Sequence, residues 1–129
     1  MRRAPFTVPI VGPTDSLAIM NMPGSWEGYR SILPKETSWT NACPARAVIT
    51  TSFYRPTRHA PRVQCPVLSV MAKRDEVIPS WSIKKEVARL PNAKVLVLDG
   101  SHFDVYKGSC FEEAVAAEQN FLVTHMRGP

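Results

Sequence analysis

Two residues of this sequence set a titratable side chain just past an apolar run. Asp75 follows the run in "VLSVMAKRDEVIP", residues 67–79, and His102 follows the run in "LDGSHFDVYKG", residues 98–108. A carboxylate that accepts a hydrogen bond from one imidazole nitrogen fixes the tautomer and stabilises the imidazolium. The other nitrogen is then available as a general base. Asp75 and His102 are therefore the candidate catalytic residues. They would be the acid and base of a nucleophilic triad, in the chain order acid then histidine.

The elements around them must bring the pair together. "CPVLSVMA" (65–72) and "AKVLVLDG" (93–100) are continuous rather than alternating apolar runs, as expected for strands buried on both faces of a parallel sheet. Between them "SWSIKKEVARL" repeats Trp81, Ile83, Val87 and Leu90 at helical intervals, with Ser80 as the expected cap and Pro91 beyond the end. After the second strand "SCFEEAVAAEQNFLVTHM" is a longer helix, with Phe111, Val115, Ala116, Phe121 and Leu122 as its inward set. Strand, helix, strand, helix predicts an α/β fold with a parallel crossover. In open parallel sheets chemistry collects at the carboxyl ends of strands, where Asp75 and His102 both lie. Neighbouring strands are about 4.8 Å apart, close enough for residues leaving their ends to touch.

The first part of the chain has a different texture. Eight of the 12 prolines precede residue 62, and each removes a backbone donor and fixes φ. Residues 1–13 read as extended or irregular. A short helix is expected at 14–21 behind Thr14 or Asp15, and further helical turns in "GSWEGYRSIL" (24–33). "ARAVITTSFY" (45–54) suits a helix with Pro44 at its first position, although its β-branched run also suits a strand. The helix is the favoured reading. These features divide the chain into a mainly helical, cap-like segment, 1–61, and an α/β segment, 62–129.

Composition removes several classes. The chain has 129 residues, 44% hydrophobic and 21% charged, in the range of an ordinary globular protein. Its net charge of +5 is spread along the chain, with no basic block or interleaved aromatic stripe, so no nucleic-acid partner is expected. Cys43, Cys65 and Cys110 are odd in number and form no C-x-x-C pair. Free thiols in a reducing, cytoplasmic setting are the expectation. Three histidines, none at helical spacing from another, give no metal site. "MRRAPFTVPIVGP" is a poor signal peptide, and no apolar run is long enough to span a membrane. The terminal "MRGP" is not a peroxisomal signal.

Residues 62–126 resemble the C-terminal third of an α/β-hydrolase. The likeness rests on the Cys-Pro-Val-Leu strand, the turn around Asp75 that ends in Pro79, the Pro-Asn-Ala run at 91–93, and a Gly-Ser-His-Phe turn around His102. Residues 8–56 resemble the helical cap of a subset that includes dienelactone-hydrolase-like proteins and fungal polyketide transferases. The resemblance implies a partial α/β-hydrolase fold and a serine hydrolase or acyltransferase. Its substrate would be an ester, thioester or other small acyl molecule, polyketide chains included, and the chemistry needs no cofactor. It also implies a nucleophile elbow, G-x-S-x-G, on a strand before these elements.

That motif is absent here. "GSWEG" (24–28) lacks the first glycine, and Ser101 occupies a small-residue position beside the histidine. The expectation is a truncated or degenerate form that lacks its N-terminal half and is prone to association. The alternative is an inactive remnant or an interaction subunit. Cys110 reads as a small buried hydrophobe rather than a nucleophile, and Asp104 as a residue that orders the histidine loop. Trp26, Trp39, Phe53 and Tyr54 would either line a substrate pocket or pack the cap. His59 and His125 read as exposed.

Overall fold

The computed structural model describes residues 4–126. The chain divides into two units, Met1–Arg55 and Pro56–Pro129.

The first unit has few regular elements. Strand β1 (Thr7–Val8) pairs antiparallel with β2 (Cys43–Pro44), and helix α1 (Ser25–Ile32) lies between them in sequence. Helix α2 (Ala45–Phe53) comes directly after β2. Pro44 stands one position earlier than expected, as the residue before the helix and a partner of Thr7. The β-branched run is held in helical form by hydroxyls that bond back one turn. Thr50 Oγ1 donates to the Arg46 carbonyl at 2.9 Å, and Thr51 Oγ1 to that of Ala47 at 2.9 Å.

The expected helix at 14–21 is not formed, and with two helices of eight and nine residues the unit is not mainly helical. Asp15 has a φ of 66°, which no right-handed helix accommodates. Neither Thr14 nor Asp15 caps a helix, and the Ser16 hydroxyl donates back to the Pro13 carbonyl at 2.7 Å. The segment folds as a turn whose ends meet at the Val11–Met20 bridge. One side chain organises it. Asn41 Oδ1 accepts from the amides of Ile10 at 2.8 Å and Val11 at 3.0 Å, while its Nδ2 donates to the Val11 carbonyl at 2.7 Å. The amide thus stands in for a neighbouring strand, and Val11 becomes the buried centre of the unit.

The second unit is the βαβα segment. After a 3-10 turn at Pro56–Arg62 come strand β3 (Val67–Arg74), helix α3 (Ser80–Val87), strand β4 (Ala93–Ser101), a short 3-10 turn at Asp104–Tyr106 and helix α4 (Gly108–Met126). β3 and β4 pair in parallel, from Val67 opposite Ala93 to Ala72 opposite Leu98. The register then slips. Arg74 stands opposite Ser101, so Asp99 and Gly100 together oppose Lys73 as a bulge in β4.

α4 packs on β4, and Leu98 and Ala114 are buried between them. The helix is rotated from its expected phase: Ala114, Val115, Ala117 and Phe121 turn inward, while Phe111, Ala116 and Leu122 of the expected set are exposed. α3 packs on β3, with Pro79 rather than Ser80 at its cap position and Trp81 67% exposed. Residues 95 and 97 of β4 alternate away from Leu96 and Leu98, and these valines are 44% and 46% exposed.

Two substitutions probe this packing. Leu98→Ala removes a fully buried side chain from the strand–helix interface and should cost about 2–5 kcal/mol of stability, read from denaturant melts. Asn41→Ala leaves the Ile10 and Val11 amides without their acceptor. Hydrogen exchange should quicken at those two amides, at a cost of about 1–3 kcal/mol for the groups left unsatisfied.

Candidate functional site

β3 ends at Arg74, and the next residue turns the chain toward α3. That turn is built on the Asp75 carboxylate. Its Oδ1 accepts from the backbone amides of Val77 at 2.9 Å and Ile78 at 2.6 Å. A short acidic side chain that bonds amides two and three residues on is a natural way to reverse a strand into a helix. The turn holds the carboxylate almost wholly out of solvent, at 6% exposure.

β4 ends at Ser101, and His102 is the first residue past it. His102 Nδ1 lies 2.9 Å from Asp75 Oδ2 and 3.1 Å from Oδ1. An ionised carboxylate only accepts, so Nδ1 carries the proton, and in the neutral ring the lone pair belongs to Nε2. The imidazole side chain is 17% exposed. Its ring stands edge-on to buried Phe103, with centroids 4.8 Å apart, and to Tyr106 at 6.5 Å. Rotation of the ring would break both contacts and the bond to Asp75.

The loop after His102 is tied by Asp104. Its Oδ2 accepts from the Ser101 amide at 2.8 Å and the Ser101 hydroxyl at 2.8 Å. These two bonds hold the Asp104 carboxyl below the usual carboxylate range, the amide contributing most. Partial burial opposes the shift, while the charges of Lys107 and Arg74 reinforce it. Asp104 is therefore a loop-ordering residue that holds the chain on either side of His102. Gly100 sits where the bulge, this loop and α4 converge. A Cβ there would meet Asp104 Cβ at 2.9 Å and Cys110 Sγ at 3.0 Å, so no larger residue fits without a shift. Gly108, at φ 62°, supplies the left-handed turn that releases the chain into α4.

The other candidates fall outside this pair. Ser25 is fully buried at the start of α1, so its hydroxyl is not presented to a substrate. The Ser101 hydroxyl is committed to Asp104. Cys110 packs against the Gly100 strand end. In the first unit Trp39 packs against Tyr29 at 5.1 Å, Arg30 lies over Trp26 at 5.2 Å, and Phe53 and Tyr54 are exposed. An apolar cavity of about 320 Å³ in that unit is lined instead by Val8, Leu17, Ala18, Ile19, Ala45, Val48 and Ile49. These residues give no joint signal in the sequence, where they are scattered over three segments. No cluster of three or more potential metal ligands occurs among the described residues, and no helix among them is long and apolar enough to cross a membrane.

No family model matches the chain. It is 32% identical over 118 residues to the quorum-quenching protein AidA of Acinetobacter baumannii strain MDR-ZJ06, an alignment that covers 92% of this chain and 39% of that protein. It is 33% identical over 86 residues to a 31.7 kDa protein of the traX-finO intergenic region of Escherichia coli, covering 64% of this chain and 30% of that one. Among solved structures it is similar to DcsB, determined in complex with its substrate analogue. The TM-score is 0.79 at 22% identity, covering 98% of this chain and 45% of the other. At that identity the likeness is one of fold. The chain spans less than half the length of each of these three proteins.

The Asp104 geometry has a titration consequence. A carboxyl with a lowered folded value contributes stability that is present above the ordinary Asp range and lost as pH falls through the folded value. Ser101→Ala removes the hydroxyl bond and keeps the amide. The Asp104 carboxyl should then titrate closer to an ordinary Asp, and acid loosening of the loop should begin at a higher pH. Carboxyl carbon NMR across the acid range reads both.

Proposed function

We propose that this chain carries the acid and base of a serine-type acyl-transfer site of the α/β-hydrolase kind, within a hydrolase or acyltransferase that acts on an ester, thioester or lactone. The observation that supports this reading most is the buried Asp75 carboxylate on His102 Nδ1 at the ends of two parallel strands. In this reading Nε2 takes the proton from a serine hydroxyl as the oxygen attacks the acyl carbon, and the tetrahedral oxyanion forms. The imidazolium then gives its proton to the leaving group as the acyl–oxygen or acyl–sulfur bond breaks. Water or an acceptor alcohol repeats the cycle in the second half. Asp75 keeps the ring in the required tautomer throughout and offsets the imidazolium charge.

The serine belongs, in this proposal, to polypeptide outside the present sequence. The chain holds no G-x-S-x-G, Ser25 is buried and Ser101 is engaged. The matched proteins are more than twice as long as the region they share with it. The exposed Val95 and Val97 fit the same picture, since parallel sheets are ordinarily covered on both faces. The name of the Acinetobacter relative, a quorum-quenching protein, is consistent with turnover of a small signalling molecule, and the acyl linkage is the chemistry an Asp–His pair serves.

The test is a chimaera in which this chain replaces the aligned segment of the Acinetobacter relative. The chimaera should hydrolyse p-nitrophenyl acyl esters and be labelled by a fluorophosphonate. Asp75→Asn should lower kcat about 10⁴-fold, and His102→Ala should lower it at least as far. The chain alone should turn over esters no faster than free imidazole. A folded chimaera inert toward esters, thioesters and lactones, or one indifferent to His102→Ala, would end this reading.

A further inference from the structure

The bulge in β4 places His102 one residue out of step with a regular ladder. Without it, Arg74 would stand opposite Gly100, and the residue leaving the strand end beside Asp75 would be Ser101. With Asp99 and Gly100 both opposite Lys73, the histidine takes that place instead. Bulges are rare in parallel pairs; they interrupt the ladder and re-aim the side chains beyond them. One side chain grips this one from the opposite strand. Arg74 Nη1 donates to Asp99 Oδ1, and Arg74 Nη2 donates to the Asp99 carbonyl at 3.1 Å. The guanidinium thus closes a fork on the first bulged residue through both its side chain and its backbone. Arg74 also precedes Asp75 directly and pairs in register with Ser101, the neighbour of His102.

We propose that Arg74 is a positioning residue: its fork on Asp99 fixes the β4 bulge and so sets His102 Nδ1 on the Asp75 carboxylate. Both side chains of the fork are well exposed, 59% and 72%, so the pair adds little to global stability. Its effect is on geometry. Two donors in a fixed plane reach a carboxylate and a carbonyl at once, which a point charge on a flexible stem does not reproduce. Lys73 shows the difference: its ammonium lies 4.0 Å from the same Asp99 oxygen and holds no backbone group through it. On the other flank Asp104 ties Ser101, so the chain on both sides of Gly100 is pinned, by Arg74 before it and by Asp104 after it.

This inference rests on His102 and Asp75 being base and orienting acid, but its test reads the imidazole in the chain itself, without turnover. Ring nitrogen NMR of the ¹⁵N-labelled chain, assigned with His59→Gln and His125→Gln, gives the His102 tautomer and the solvent-exchange rate of its Nδ1 proton. The native chain should show the Nδ1–H tautomer with a protected proton. Arg74→Ala and Arg74→Lys should each speed that exchange about fivefold, the upper end for an exposed ion pair, with the thermal midpoint lowered by no more than a few degrees. Lys73→Ala should leave exchange as in the native chain. Exchange in Arg74→Lys indistinguishable from native would overturn the proposal. So would equal acceleration by Lys73→Ala, which would mark a general charge effect. Failure of the ester assay with Arg74-dependent protection of the imidazole would sink the catalytic reading alone.

Discussion

A single carboxylate joins the two halves of the β3–β4 arrangement at its functional end. Asp75 accepts two backbone amides of its own turn and one imidazole nitrogen from the neighbouring strand end. A charge at 6% exposure is costly unless it is hydrogen-bonded all round, and these donors meet that demand. The same bonds serve two structural needs at once. They turn β3 into α3, and they leave Oδ2 directed at His102. Loss of the turn would misplace the carboxylate, and loss of the histidine would leave part of a buried charge without its donor.

The parallel pairing that brings the strand ends side by side is held mostly from one face. Leu98 and Ala72 are buried on the face where Ala114 of α4 packs, and Met71 is buried on the other face of β3. The small residue there lets the helix approach closely, which in turn brings Cys110 and the Asp104 loop onto Gly100. The fixed points around His102 are therefore contacts of different kinds. Packing comes from Phe103, hydrogen bonds come from Asp104 and Asp75, and a bulge sets the register. The exposed valines on the opposite face mark where this sheet has apolar surface to bury.

The first unit obeys another logic. Its strands are only two residues long, and no sheet or helix pair builds a layered core among its described residues. Order comes instead from an amide side chain, Asn41, acting as a surrogate strand for Ile10 and Val11. Proline spacing makes long elements unfavourable there, and a single well-placed polar side chain replaces many ladder bonds.

The βαβα order, the parallel pairing and the helix spans of the second unit are legible in the sequence, because continuous apolar runs and helical periodicity are local signals set by burial. So is the approach of Asp75 to His102, since the ends of neighbouring parallel strands must lie close. The rest depends on contacts between residues far apart in the chain. Thr14 and Asp15 have the chemistry of a helix start, but Asn41, about thirty residues on from Ile10 and Val11, supplies partners for those two residues instead. The phase of α4 escapes a hydrophobicity pattern because Phe111 and Leu122 outweigh Ala114 in it, whereas close packing on β4 selects the small residue. The β4 bulge leaves no mark in an apolar pattern, because one extra residue costs nothing in composition. In the folded chain Arg74 holds Asp99 and Asp104 holds Ser101, one on each side of Gly100, and only the tertiary structure brings those side chains there.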